Sequence, residues 1–244
     1  MPSVDNQGVR IAYSVQGDGE PLILIHGWSC EGRYWAEFGY TSDLTRDFKV
    51  IVPDLRGHGA SETPRNGDFS DHAFASDVTA VLDQLSVDSA HIFGYSLGGW
   101  VALELAAVFP ERVQGVVVGG SHPYAEDLSP LRSITTRDLL DGWEAARASL
   151  SNQARSNIAD LDPELLKAMV PDRVDKTARL VGMQSQLLTV CGTNDWRYED
   201  MKRFAMDHEF CSFLAIEGTD HLETWLQSEQ ILPLVRQLLQ AKGE

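Results

Sequence analysis

A serine with glycines two positions away on either side, Gly94-Tyr95-Ser96-Leu97-Gly98-Gly99, is the part of this chain best suited by type and spacing to make and break bonds. A serine hydroxyl is a weak nucleophile at neutral pH unless a neighbouring base takes its proton. The setting is as informative as the residue. Residues 90–93 form an apolar run that reads as a short buried strand. Residues 100–109 are rich in helix formers and apolar nearly all round, a buried helix that Pro110 ends. A serine at the apex of strand, sharp turn and helix takes a strained backbone conformation that lifts its Oγ clear of the sheet. Side chains at positions 94 and 98 would collide with neighbouring backbone. The helix N-terminus turns N–H groups toward the place where an oxyanion would form.

The rest of the chain supplies elements to position such a turn. Residues 9–15, 21–25, 49–53, 113–118, 186–190 and 211–216 read as further strands. Helices are expected at 34–44, 71–85, 197–207 and 223–240, with Ser70 as the cap of the second. Alternation of strands and helices implies a mostly parallel sheet covered on both faces, an α/β fold. Residues 122–183 break the rhythm: helical-looking pieces at 136–150, 163–169 and 175–180 come without a strong strand. They read as a small helical cap inserted into a core domain made of residues 1–121 and 184–244.

With 244 residues, 43% of them hydrophobic, the chain suits one α/β domain with a large core. Its formal charge of −16 argues against nucleic acid and anionic membranes as partners, and for a neutral or cationic small-molecule substrate. The three cysteines, Cys30, Cys191 and Cys211, are too few and too scattered for a disulfide framework or a zinc site. Residues 1–8 lack the features of a signal peptide, and no apolar run approaches the roughly 18 residues of a membrane span. A cytoplasmic protein is the expectation, without metal or cofactor; the oligomeric state stays open.

Five motifs in a fixed order, each at a strand end, resemble the α/β-hydrolase superfamily over essentially the whole chain. They are His26-Gly27, Asp54-Leu55-Arg56-Gly57-His58-Gly59-Ala60-Ser61, Gly94-Tyr95-Ser96-Leu97-Gly98-Gly99, Gly192-Thr193-Asn194-Asp195 and Asp220-His221. The resemblance implies a roughly eight-stranded sheet with its active site at the carboxyl ends of the strands. It also implies the order nucleophile, acid, histidine, hence Ser96, Asp195 and His221. Oxyanion donors would be the backbone N–H groups of Trp28 and Leu97, and Trp28 and His122 would line the substrate pocket. His26, Arg56 and His58 are read as structural, and Asp77, Asp83 and Glu104 as solvated or helix-surface charges. Trp100, Trp143 and Trp225 are assigned to packing.

The loop from Asp54 to Ser61 resembles the small carboxylesterase and enol-lactonase branch. A serine hydrolase acting on a small ester, thioester or lactone is therefore the leading expectation. Ser96 stands where the dehalogenase and epoxide hydrolase branches place Asp. A non-hydrolytic enzyme on the same scaffold, a lyase or a cofactor-free dioxygenase of N-heteroaromatic rings, is the alternative. Leu97, where those dioxygenases carry His, counts against it. A receptor-like binding module is the third reading, opposed by the complete set Ser96, Asp195 and His221.

Overall fold

The computed structural model describes residues 1–65, 67–146 and 152–240. Its strands are β1 (Ser3–Asn6), β2 (Val9–Gln16), β3 (Glu20–Ile25), β4 (Phe48–Pro53), β5 (Ala90–Tyr95), β6 (Val113–Gly119), β7 (Leu187–Gly192) and β8 (Cys211–Ile216). They form one eight-stranded sheet in the order β1-β2-β4-β3-β5-β6-β7-β8. β1 with β2 and β2 with β4 are antiparallel, and every other pairing is parallel. β5 lies between β3 and β6 and is buried along its whole length, as expected for a continuous apolar run covered on both faces.

The helices are α1 (Tyr34–Glu37), α2 (Tyr40–Leu44), α3 (Asp71–Gln84), α4 (Leu97–Val108), α5 (Thr136–Ala146), α6 (Asn152–Ala159), α7 (Pro163–Ala168), α8 (Thr177–Leu180), α9 (Tyr198–Asp207), α10 (His221–Trp225) and α11 (Ser228–Gln240). Alternating strand residues feed two core layers. Ile23, Ile51, Ile92 and Val116 pack with Phe74 and Val78 of α3 and Val101 and Leu105 of α4. Leu24, Phe93, Val117 and Val190 pack on the other face with Trp35, Tyr40, Trp225 and Val235. α4 is apolar nearly all round, Glu104 excepted, and is buried from Leu97 through Ala106.

Several boundaries differ from expectation for local reasons. β1 is polar and half-exposed, so it lacks an apolar signal; it exists by pairing, with Ser3 opposite Ala12 and Asn6 opposite Val9. The two residues between, Gln7 at φ 55° and Gly8 at φ 82°, make a hairpin turn with both φ values positive. The helix expected over 34–44 divides at Gly39, whose φ of 88° lies outside helical space. The closing helix divides into α10 and α11. Of the helix expected over 136–150, Thr136–Ala146 is present and 147–150 lie outside the described residues.

The described residues between β6 and β7 add no strand to the sheet and carry α5 to α8. The two ends of this connection are joined by reciprocal backbone hydrogen bonds between Glu126 and Arg173. Among the described residues no helix is long and apolar enough to cross a membrane.

Candidate active site

Ser96 stands between the end of β5 and the first turn of α4, at φ 54° and ψ −114°. A non-glycine residue there carries roughly 1–3 kcal/mol of strain and persists only where its surroundings over-determine it. The surroundings are tight. A Cβ at Gly94 would lie 2.0 Å from the carbonyl oxygen of Gly98, and one at Gly98 would lie 2.1 Å from that of Ile25. The Ser96 N–H donates to Gly119 O at 2.8 Å, tying the turn to β6.

Three side chains from three strand ends meet here. His221 Nε2 is 2.9 Å from Ser96 Oγ. His221 Nδ1 is 2.6 Å from Asp195 Oδ2. Asp195 is buried just beyond β7, and its other oxygen accepts the Arg197 N–H at 3.0 Å. Burial is the largest influence on the Asp195 carboxyl and pushes it up. The His221 charge and the hydrogen bonds from His221 and the Arg197 N–H together outweigh burial and hold it below the usual carboxylate range. An acceptor ionised in this way keeps a hydrogen on Nδ1 and leaves Nε2 open to the serine proton.

His221 is the first residue of α10, and Asp220 caps that helix. Asp220 Oδ1 accepts from the N–H groups of Leu222 and Glu223 at 2.9 and 2.8 Å, and Glu223 Oε2 accepts the Asp220 N–H at 3.0 Å. This reciprocal arrangement is a capping box.

The line of side chains opens into a cavity of about 430 Å³. Trp28 and Leu97 both line it, Leu97 at the N-terminus of α4 with its unsatisfied N–H groups. Gly27 brings the Trp28 loop close: a Cβ there would be 3.4 Å from Ser96 Cβ. Leu128, Leu131, Ile134, Leu139 and Val170 of the β6–β7 connection supply an apolar wall. Trp100, Trp143 and Trp225 are buried packing residues, as expected, and also border the cavity.

His122 does not line this cavity. It lies beside an adjoining cleft of about 470 Å³ with Asp200 and Arg197, while Ser121 faces the cavity instead.

His26 and His58 serve the loops. His26 Nε2 accepts the Leu55 N–H at 3.0 Å, which leaves Nδ1 to donate to Gly27 O at 2.8 Å. Burial lowers His26 to about 4; burial and then the neighbouring His26 lower His58 to about 3. Two of the carboxylates read as solvated are in fact buried. Asp77 takes a two-pronged bond from Arg56, 2.7 Å on each arm, and Glu104 accepts from Lys176 at 2.5 Å. Asp83 is exposed, as expected, and pairs with Arg112.

Sequence reasoning missed Glu126, Arg173, Trp196 and Arg197, all of which line the cavity. Trp196 is 61% exposed, and its ring centre is 4.7 Å from that of His221. For Trp196 and Arg197 a signal existed, since they directly follow Asp195. Glu126 and Arg173 had none, because only the fold of the connection brings them there.

The α/β-hydrolase fold model matches residues 20–196. A 2-hydroxymuconate semialdehyde hydrolase of Pseudomonas sp. strain CF600 is 36% identical over 115 residues, 47% of this chain and 41% of that protein. A putative 2-succinyl-6-hydroxy-2,4-cyclohexadiene-1-carboxylate synthase of Bacillus subtilis strain 168 is 31% identical over 157 residues, 60% of this chain and 56% of that protein, so the chain matches less than two thirds of the length of either relative. Among solved structures, the enol-lactonase of Burkholderia xenovorans LB400 superposes with a TM-score of 0.83 at 19% identity, over 98% of this chain and all of that one, 100%. An esterase of Rhodococcus sp. ECU1013 gives a TM-score of 0.82 at 25% identity, over 99% and 98%. By the family model and by its sheet, this chain belongs to the α/β-hydrolase fold family.

Proposed function

We propose that this chain is a serine hydrolase of small carboxylic esters, with thioesters and lactones as related substrates. The observation that carries the reading is the unbroken hydrogen-bonded line from Ser96 Oγ through His221 to Asp195, opening into an apolar cavity. Relatives named as an esterase and as a hydrolase are consistent with it.

Ser96 Oγ attacks the carbonyl carbon as His221 Nε2 takes its proton. The carbonyl π electrons move to oxygen, and the N–H groups of Trp28 and Leu97 hold the oxyanion. Collapse expels the alkoxide, which takes the proton from Nε2, and an acyl-serine remains. Water then attacks that ester, again giving its proton to His221, and collapse releases the acid as Nε2 returns the proton to the departing Ser96 Oγ. Asp195 stabilises the imidazolium in both halves without taking the proton itself. The apolar wall holds the acyl group, and no cofactor takes part.

A fluorophosphonate should label Ser96 stoichiometrically, and an ester and lactone screen of graded acyl length should yield a substrate that wild type, and not Ser96→Ala, turns over. Turnover undiminished in Ser96→Ala would remove the nucleophile assignment. Oxygen consumption with a hydroxyquinolone, without ester cleavage, would move the reading to the dioxygenase alternative.

A further inference from the structure

One carboxylate of the β6–β7 connection holds both residues that follow Asp195. Glu126 accepts from Arg197 Nε at 2.8 and 3.1 Å, one distance to each oxygen, and from Arg197 Nη2 at 3.0 Å. Trp196 Nε1 approaches the same carboxylate at 3.4 Å. Glu126 itself is fixed from behind. Its backbone N–H and C=O pair with those of Arg173 at 3.2 and 2.8 Å, and Arg173 Nη1 donates to Asp71 at 2.9 Å.

The two residues that Glu126 holds both reach the reacting groups. Arg197 gives its backbone N–H to Asp195 Oδ1 at 3.0 Å, and its Nη1 donates to Gly120 O at 3.2 Å. Gly120 is the floor under the imidazole: a Cβ there would be 2.7 Å from His221 Cε1. Trp196 covers the same imidazole at 4.7 Å. Arg197 is thus bound at three points, to the acid, to the floor of the base and to Glu126. Without Glu126 a largely buried guanidinium would lose its counter-charge, a change that leaves a charge uncompensated and forces rearrangement.

We propose that Glu126 is a positioning residue that acts through Arg197 and Trp196 to keep Asp195 and His221 aligned on Ser96. The β6–β7 connection thereby sets the turnover rate as well as forming a wall of the cavity. The proposal rests on the serine-hydrolase reading, since it needs the aligned groups to be the reacting ones. Misplacement of reacting groups by about 1 Å can lower a rate about 10²-fold, and that is the scale of effect at issue.

The test uses whole protein, the best ester found in the screen, and rates normalised to fluorophosphonate-titratable sites. Glu126→Gln, which keeps the volume and one acceptor oxygen, should lower kcat about 10-fold or more and leave KM within about 2-fold. Arg197→Gln should do the same. The double variant should be no slower than the slower single, because both changes break one linkage. A raised KM with kcat intact would make Glu126 a substrate contact and overturn the proposal. An unchanged kcat with only a lower Tm would make it a structural ion pair and overturn it too. Additive losses would separate Glu126 from Arg197 and likewise overturn it. If Glu126→Gln does not fold, Arg197→Lys, which keeps the charge but not the three-point geometry, must show the kcat loss or the proposal fails. Absence of Ser96 labelling in wild type would instead sink the hydrolase reading, which distinguishes the two failures.

Discussion

Asp195 Oδ2 lies 2.6 Å from His221 Nδ1, although 26 positions separate the two residues in the chain. Asp220 is joined to His221 directly, yet its carboxylate is committed to the N–H groups of Leu222 and Glu223. A side chain next door on a helix start is drawn to the open N–H groups of that helix. One arriving from the end of β7 is free to meet the imidazole edge-on. Parallel strands deliver functional atoms to one edge of the sheet, whatever their separation in the chain.

Exchange of the two carboxylates separates their roles. Asp195→Asn should lower kcat by up to about 10⁴-fold by favouring the wrong imidazole tautomer. Asp220→Asn should leave kcat nearly unchanged, since Asn caps a helix about as well as Asp, whereas Asp220→Ala should cost about 1 kcal/mol of stability. Steady-state rates and denaturant midpoints for the three variants check both halves. A larger kcat loss in Asp220→Asn than in Asp195→Asn would reverse the assignment.

Ser96, Asp195 and His221 were legible because each sits at a strand end marked by glycines or by the close of an apolar run. The order of the motifs therefore carried the geometry. Glu126 and Arg173 were not legible. Their backbone pairing joins two segments 47 residues apart, and neither segment has a periodicity that announces it. Asp77 and Glu104 misled for a different reason. A single carboxylate in a helix pattern looks like a surface charge until its cation is known, and Arg56 and Lys176 come from 21 and 72 positions away. β1 escaped notice because an edge strand with a polar, half-exposed face needs no apolar run.

Stability should fall as pH drops below neutral, before the carboxylates titrate. His26 and His58 are held neutral in the fold at about 4 and about 3, whereas in the unfolded chain they protonate near roughly 6.5. Between those limits the unfolded state binds more protons, so the stability contributed by their burial is present above about 6.5 and lost as pH falls toward the folded values. Each group adds a slope of up to about 1.4 kcal/mol per pH unit. Denaturant unfolding at steps from pH 7.5 to 4.5 measures it. A flat profile would mean that the two rings are protonated or exposed in the fold.

Lys176 is the second place where burial makes a charge consequential. Its ammonium is buried between Asp71 at 2.8 Å and Glu104 at 2.5 Å, 4.3 Å from the centre of the Trp100 ring. Lys176→Met should destabilise by roughly 3–5 kcal/mol, because Glu104 is left buried without its cation. Adding Glu104→Leu to that variant should recover much of the loss. A single-variant loss below about 1 kcal/mol, as for an exposed pair, would contradict the burial of this site.

Substrate length should be limited by the wall that the β6–β7 connection builds. The cavity, about 430 Å³, lies toward the small end of the range of roughly 300–1,000 Å³ usual for ligand sites. While the acyl chain still finds room, each added methylene should contribute about 0.8 kcal/mol of burial, roughly fourfold in kcat/KM. Once it meets the wall, further growth forces overpacking that costs about 1–3 kcal/mol, and the profile should turn down. Leu139, on α5, is a half-buried member of that wall. Leu139→Ala should shift the turning point to longer acyl groups and change the rate with acetate esters far less, since it belongs to the apolar wall and not to the hydrogen-bonded line at Ser96. The check is kcat/KM over p-nitrophenyl esters of graded length for both proteins. A profile that rises without a break to long chains, identical in wild type and Leu139→Ala, would show that the connection does not limit the acyl group.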